Sequence, residues 1–249
     1  MTFDKDEIEE RVDEQAEKVE ERLDHIPDGQ SMPDPEDMLL ASAKKFKLGI
    51  VFIDINDFSD YSSDYPEEDV LFMLNLFIPE IMEIVRDYDG YFEKNTGDGI
   101  LAYFGVGEDY SSISETVLEY FATVKYSLAN HINPTLDDNG IEPITISGGA
   151  AIGKDIHISR IGKHSLNRRT AVGTTANSAS KLEDMAGTNQ YFVNEGLYQY
   201  ANKEDGWGEY LTDKGRLEGF TWGSDDSGWT TQHYYNFNGI WADTNTDNL

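Results

Sequence analysis

Cysteine is absent from this chain of 249 residues, which excludes disulfides, thiolate metal sites and cysteine nucleophiles. Bases are scarce: 19 lysines and arginines stand against 48 aspartates and glutamates, a formal net charge of -29. Phosphate backbones and anionic lipid surfaces are repelled by such a chain, which excludes nucleic acid and membrane as electrostatic partners. A single nucleotide in a locally basic pocket stays compatible with it. Long apolar runs are missing as well. The most apolar stretch, Val70 to Val85, is interrupted by Asn75, Pro79, Glu80 and Glu83 and falls short of a membrane span. The five histidines form no recognisable cluster of the kind a metal-dependent phosphohydrolase would need. No internal repeat is visible, and the acidic N-terminus has no signal peptide, so a cytoplasmic location is expected.

What is present is enough for one domain of about 200 residues plus extensions. The apolar fraction of 39% beside this acidity describes a folded protein with a strongly solvated surface. Residues 1–37 hold fifteen acids against four bases, with Ile8, Val12, Ala16, Val19 and Leu23 at helical spacing. They read as an acidic amphipathic helix and linker. Residues 38–221 read as the main domain, and residues 222–249 as an extension rich in aromatics, Gly and Asp that packs on it. The aromatics of the tail, Trp229, Tyr234, Tyr235 and Trp241, suit either a base-stacking platform or the cover of a core or subunit interface.

The pattern from Leu48 onward is strand, helix, hairpin, helix, strand. Leu48 to Ile53 reads as a buried strand ended by Asp54. A helix starts at Pro66 and Glu67 and runs to Tyr88. A hairpin pairs Tyr91 to Lys94 with Ile100 to Phe104, its turn holding Asp98 between Gly97 and Gly99, both expected at positive φ. A helix over Ser114 to His131 follows, then a strand over Ile144 to Ile152 and a separate extended stretch near Ile156 to Ile161. A short helix, Thr174 to Met185, leads to a strand over Gln190 to Val193. The order resembles a βαββαβ unit, an α/β (α+β) fold with an added arm.

Pairing the hairpin beside the first strand brings the carboxylates of Asp54 and Asp98 to one edge. Hard oxygen ligands of this type suit Mg²⁺ or Mn²⁺, with substrate phosphates filling the remaining positions. Taken singly, Asp98 is also ordinary turn chemistry. Asn177 and Lys181, four apart on a helix, share a face where an amide and an ammonium address one ligand or simply meet solvent.

Three segments together resemble the class III nucleotidyl cyclases, the adenylyl and guanylyl cyclase family: FIDINDFS, KNTGDG and TAVGTTANSASKL, in the family's order between about residues 46 and 193. The resemblance implies a ferredoxin-like βαββαβ catalytic domain with additional C-terminal strands, working as a head-to-tail homodimer. It implies metal ligation by the Asp54 and Asp98 carboxylates and the Ile55 carbonyl, with two ions, Mg²⁺ or Mn²⁺, per site. It assigns a base contact to Lys94 and base recognition to Thr170, beside Arg169. Asn177 orients the ribose, and Lys181 takes the place of the family's transition-state arginine. Lysine there is a departure, since it neutralises phosphate charge without arginine's planar fork. Lys163, Arg168, Arg169, Lys203 and Lys214 are the candidates for the remaining triphosphate charge.

The implied reaction converts a nucleoside triphosphate into a 3',5'-cyclic nucleotide and pyrophosphate. Lys94 with Thr170 is similar to an adenylyl cyclase pairing. Lys181 and a short layout without an attached sensor domain are similar instead to the bacterial pyrimidine cyclases of antiphage signalling, which make cyclic CMP or cyclic UMP, and this reading is preferred. A catalytically inactive, regulatory cyclase-like subunit is the alternative of another class, disfavoured by the presence of both aspartates.

Overall fold

The structure, a computed structural model, describes residues 19, 21, 23–34, 37–95, 97–163, 166–217, 222–225, 228–230 and 233–249, without the side chains of 94, 95, 163, 166–168, 222–225 and 228–230. Two compact units make up the chain: Met1–Phe46 with Asp155–Gly173, and Lys47–Lys154 with Thr174–Leu249. The strands are β1 (Ala43–Ile55), β2 (Tyr91–Asn95), β3 (Ile100–Phe104), β4 (Ile146–Lys163), β5 (Leu166–Val172), β6 (Tyr191–Asn194), β7 (Leu211–Arg216), β8 (Trp222–Asp225), β9 (Gly228–Thr230) and β10 (His233–Phe237). The helices are α1 (Phe58–Asp64), α2 (Glu67–Asp87), α3 (Tyr110–Ser127), α4 (Asn133–Asp138), α5 (Thr174–Met185) and α6 (Glu195–Tyr200). The main sheet has the order β2-β3-β1-β4-β6-β10-β7, with β5 pairing β4 off that path and β8-β9 forming a separate pair.

The order β2-β3-β1-β4 with α2 and α3 in the crossovers is the ferredoxin-like βαββαβ arrangement expected from the pattern. Its cause is legible strand by strand. Along β1, Val51, Ile53 and Ile55 enter a core shared with Met73, Phe77 and Ile81 of α2 and Val117 and Phe121 of α3. Burying each of these side chains stabilises the fold by roughly 1.5–3 kcal/mol. Gly49 lets α3 come close, because a Cβ there would meet Val117 at 2.8 Å. β1 and β3 pair antiparallel from Gly49 opposite Phe104 to Ile53 opposite Ile100.

The tail contributes more than cover. Its strand β10 lies inside the sheet, antiparallel to both β6 and β7. Tyr235 and Trp241 pack on the core, and the Trp241 indole donates to Thr123 at 3.0 Å, while the Trp229 side chain lies outside the described residues. Lys125 fastens this segment to α3. Buried to 4% exposure, its Nζ donates to the carbonyls of Phe237 (2.9 Å) and Gly239 (3.2 Å) and lies over the rings of Tyr191 and Phe237.

The smaller unit is built on the β4–β5 hairpin, whose register runs from His157 opposite Val172 to Lys163 opposite Leu166. In it Lys45 reaches Asp28 (3.4 Å) and Asp155 (3.5 Å), and Arg160 donates to the Met38 carbonyl at 2.6 Å.

Several expectations are corrected. The two extended stretches around Ile144 to Ile161 are one strand, β4; the polar Lys154 and Asp155 mark an irregularity at which Asp155 takes φ 58 without ending the strand. The helix placed at Ser114 to His131 starts earlier, where the Asp109 carboxylate caps the Ser112 N–H, and passes into a π-helical turn at Leu128–Ile132. Gly97 adopts φ 103, but Gly99 is not among the positive-φ residues, because the reversal precedes it and Gly99 already leads into β3. Of the N-terminal stripe, Val19 and Leu23 are helical, while Ile8, Val12 and Ala16 lie outside the described residues.

Candidate active site

Asp54 is the penultimate residue of β1 and stands between two neighbours. On one side, the pairing of Ile53 with Ile100 brings it next to the turn carrying Asp98. On the other, Asn56 N–H donates to the Thr145 carbonyl at 2.9 Å, and a Cβ on Gly148 would meet the Ile53 side chain. That register sets Asp54 beside Ser147 of β4. Successive side chains alternate across a sheet, so Ser147 and Gly149 share a face, opposite to Gly148. Over this face lies α5. It comes so close that a Cβ on Gly149 would fall 2.2 Å from the Glu183 nitrogen and 2.4 Å from the Ala179 oxygen. The Glu183 carboxylate accepts from the Ser147 hydroxyl at 3.4 Å.

The electrostatics of this place are one-sided. Burial, then Asp98 and Asp184, push the Asp54 carboxyl up to about 6, although the Ile55 N–H pulls it down. Burial raises Asp98. Burial, Asp54 and Asp184 push Glu183 up to about 7, with Asp98 adding to it. Each of these shifts says that a negative charge is costly here without a cation. The side-chain oxygen of Asn56 is also buried with no hydrogen-bond partner among the described residues. Among the same residues, no three Asp, Glu or His side chains form a closed cage for a metal ion. Two carboxylates of hard oxygens fit Mg²⁺ or Mn²⁺, which seldom takes an all-protein cage and leaves its remaining positions to water and substrate phosphates.

The other expected site residues fall into separate groups. The Ile55 side chain is buried in the core, so only its backbone is available to a cation. Asn177 is exposed on α5, one turn before Lys181, whose Nζ lies 3.8 Å from Asp184. Asp54, Asp98, Asn177 and Lys181 all belong to the larger unit. Thr170 and Arg169 belong to the smaller one. There Thr170 pairs with Ser159, and the buried Arg169 guanidinium donates to the Pro33 carbonyl at 2.9 Å. Lys94 is in β2 opposite Leu101, and its side chain lies outside the described part of the structure.

Of the triphosphate candidates, Lys203 lies near the Ala201 carbonyl at 3.3 Å and over the Tyr198 ring, and Lys214 is exposed on β7. The side chains of Lys163 and Arg168 are outside the described set. Sequence reasoning misses Glu183 and Ser147. The pair Gly148-Gly149 in an apolar strand is the signal that points to them, because it marks a close approach of backbone.

A family model described as the adenylate and guanylate cyclase catalytic domain matches residues 40–219. The chain belongs to this family. Two proteins named cytidylate cyclase resemble it: one from Staphylococcus aureus, 26% identical over 153 residues, and one from Escherichia coli, 27% identical over 158 residues. Each alignment covers 60% of this cyclase-family chain but only 36% and 34% of the relative, so the chain spans about a third of the length of either. The adenylyl cyclase CyaB from P. aeruginosa shares its fold with a TM-score of 0.68 at 20% identity, over 81% of this chain and 98% of that one. The guanylyl cyclase Cya2 does so with a TM-score of 0.65 at 17% identity, over 81% and 96%. The expected fold class and family are therefore both correct. No described helix is long and apolar enough to cross a membrane.

Proposed function

We propose that this domain is a nucleotide cyclase that converts a nucleoside triphosphate into a 3',5'-cyclic nucleotide and pyrophosphate, with a pyrimidine nucleotide as substrate. The observation that carries the reading is the Asp54–Asp98 pair: two half-buried carboxylates, one at the end of β1 and one in the β2–β3 turn that the β1–β3 pairing sets beside it, in a chain of the cyclase family. The pyrimidine assignment draws on the two relatives named cytidylate cyclase and on Lys181 at the family's arginine position.

In the reaction the ribose 3'-oxygen gives up its proton to solvent water and bonds to the α-phosphorus, while the bond from that phosphorus to the bridging oxygen breaks and pyrophosphate leaves with the electron pair. Two divalent ions, when bound, supply charge neutralisation for the attacking and leaving oxygens. Asp54, Asp98 and the Ile55 carbonyl would hold them. Asn177 orients the ribose, and Lys181 offsets the negative charge that develops on the α-phosphoryl oxygens. The family resemblance assigns a base contact to Lys94 and base recognition to Thr170, while the Arg169 guanidinium is buried against the Pro33 carbonyl and is withdrawn from that role. In a head-to-tail homodimer, the α5 residues of one copy complete the carboxylate half-site of the other. A cytoplasmic role in antiphage signalling, with residues 1–37 and 222–249 flanking a catalytic domain of residues 38–221, completes the reading.

The test is direct. Purified protein with Mn²⁺ is incubated with each of the four nucleoside triphosphates, and products are identified by mass. Cyclic CMP or cyclic UMP is expected. No cyclic product from any of the four refutes the cyclase reading, and cyclic AMP alone refutes the pyrimidine assignment.

A further inference from the structure

We infer that Glu183 is a positioning residue for the divalent cation, a third carboxylate that faces the Asp54–Asp98 pair from α5 and raises its affinity for metal without being one of its direct ligands. The inference rests on the proposed metal-dependent reading of that pair. It goes beyond the family motifs, which assign roles to Asn177 and Lys181 on α5 and none to Glu183.

The geometry comes from three contacts. Gly149 has no side chain, so the backbone of α5 at Ala179 and Glu183 lies directly on β4. The Glu183 side chain accepts from Ser147 at 3.4 Å. Ser147 stands beside Asp54 in the strand register that joins Asn56 to Thr145. The carboxylate is thus tethered over the strand position next to the first metal aspartate. Its neighbours are acidic: Asp54 and Asp184 act on it most strongly, with Asp98 adding to them. Among the described residues the Ser147 hydroxyl is its hydrogen-bond partner, and the charges that act on it are all acidic. A cation at the pair reverses the sign of the interaction, turning mutual repulsion into attraction through the field or through a coordinated water. Since no three such side chains form a closed cage among the described residues, Glu183 acts beyond the inner ligands.

The experiment is Mn²⁺ binding to the full chain without nucleotide, followed by the paramagnetic resonance of free Mn²⁺ at about pH 8, where carboxyl groups are largely ionised. Asp54→Asn gives the background of weak surface binding to this acidic protein. Glu183→Gln keeps the shape and the Ser147 contact but removes the charge. It is expected to weaken the site about tenfold, the scale of lost outer interactions around a metal. The same variant without metal is expected to melt at a higher temperature than the unsubstituted protein, because a repulsion between half-buried carboxylates is gone. A purely structural Glu183 predicts the opposite pattern: unchanged Mn²⁺ affinity and equal or lower stability, a result that overturns the inference.

Should Glu183→Gln fold poorly by circular dichroism, Glu183→Asp withdraws the charge by one methylene and replaces it in the comparison. Unchanged affinity in that variant overturns the inference equally. If Asp54→Asn and Asp98→Asn both bind Mn²⁺ as the unsubstituted protein does, the metal reading of the pair fails. If they lose binding while Glu183→Gln does not, only the inference about Glu183 fails.

Discussion

Two places in the larger unit draw ionisable groups out of water, fully at Lys125 and by about half at Asp54, and they are built in opposite ways. Around Lys125, burial pushes the ammonium down to about 7, yet two carbonyls accept from it and two aromatic faces cover it. Carbonyl oxygens and ring faces offer that nitrogen electron density, so the structure itself answers the charge. Around Asp54 the neighbours are Asp98 and Asp184, with Glu183 close by, and the charge is answered by nothing of opposite sign in that set. A satisfied buried charge holds a fold together, whereas a repulsive cluster points to something else that binds there.

The sharpest way to break this contrast is Asp54→Asn. It is expected to lower cyclic-nucleotide formation about a thousandfold or more, since metal-based charge stabilisation is worth several kcal/mol, while the metal-free protein stays folded. A product assay beside a thermal melt reads both halves; a variant that keeps activity removes the pair from the chemistry. Next in size is Lys181→Ala, expected to cost about a hundredfold or more in rate, with Lys181→Arg restoring a good part. If the site is shared between two copies, mixing Asp54→Ala with Lys181→Ala protein regains activity that neither has alone, and no recovery despite proven exchange of subunits counts against sharing.

On the structural side, Lys125→Ala leaves the Phe237 and Gly239 carbonyls without their donor. It is expected to destabilise the protein by about 2–4 kcal/mol in urea unfolding, with little change in Mn²⁺ binding. A loss of metal affinity comparable to that of Asp54→Asn would dissolve the distinction between the two places.

The smallest expected effect is on pH. Asp54 and Glu183 have folded-state values raised to about 6 and about 7. The folded protein therefore holds protons that the unfolded chain has already released. Their contribution is present at the acidic end, below ordinary carboxyl values, and is lost as pH rises through about 6 to 7. Thermal melts in chelator should show this decline, Glu183→Gln should reduce it, and saturating Mn²⁺ should abolish it, because bound metal favours the ionised carboxylates.

The legibility of these features follows how local each one is. Helix α5 falls at Thr174 to Met185 as the sequence pattern predicts, and Asp54 and Asp98 are found at the end of a strand and in a hairpin turn. These depend on a few consecutive residues. The continuity of β4 through Lys154 and Asp155 is not legible in the same way, because a polar break looks the same whether or not the neighbouring strands carry the chain across it. Nor is the interior position of β10, whose tail composition resembles a loop but whose Tyr235 and Phe237 are drawn into the core. Sequence alone makes Arg169 a base-contacting candidate, and only the fold reveals its buried contact with the Pro33 carbonyl.

By itself, then, the amino-acid sequence determined the βαββαβ order, the cyclase family and the two aspartates on which the proposed chemistry rests, since each is encoded in short runs of apolar period, turn residues and motif. Tertiary structure alone decided that α5 rests on Gly149, that Glu183 is tethered to Ser147 beside Asp54, and that Lys125 is enclosed by the tail. Those contacts join residues tens of positions or more apart, and their energies come from burial and from charges meeting across elements, which no local pattern records.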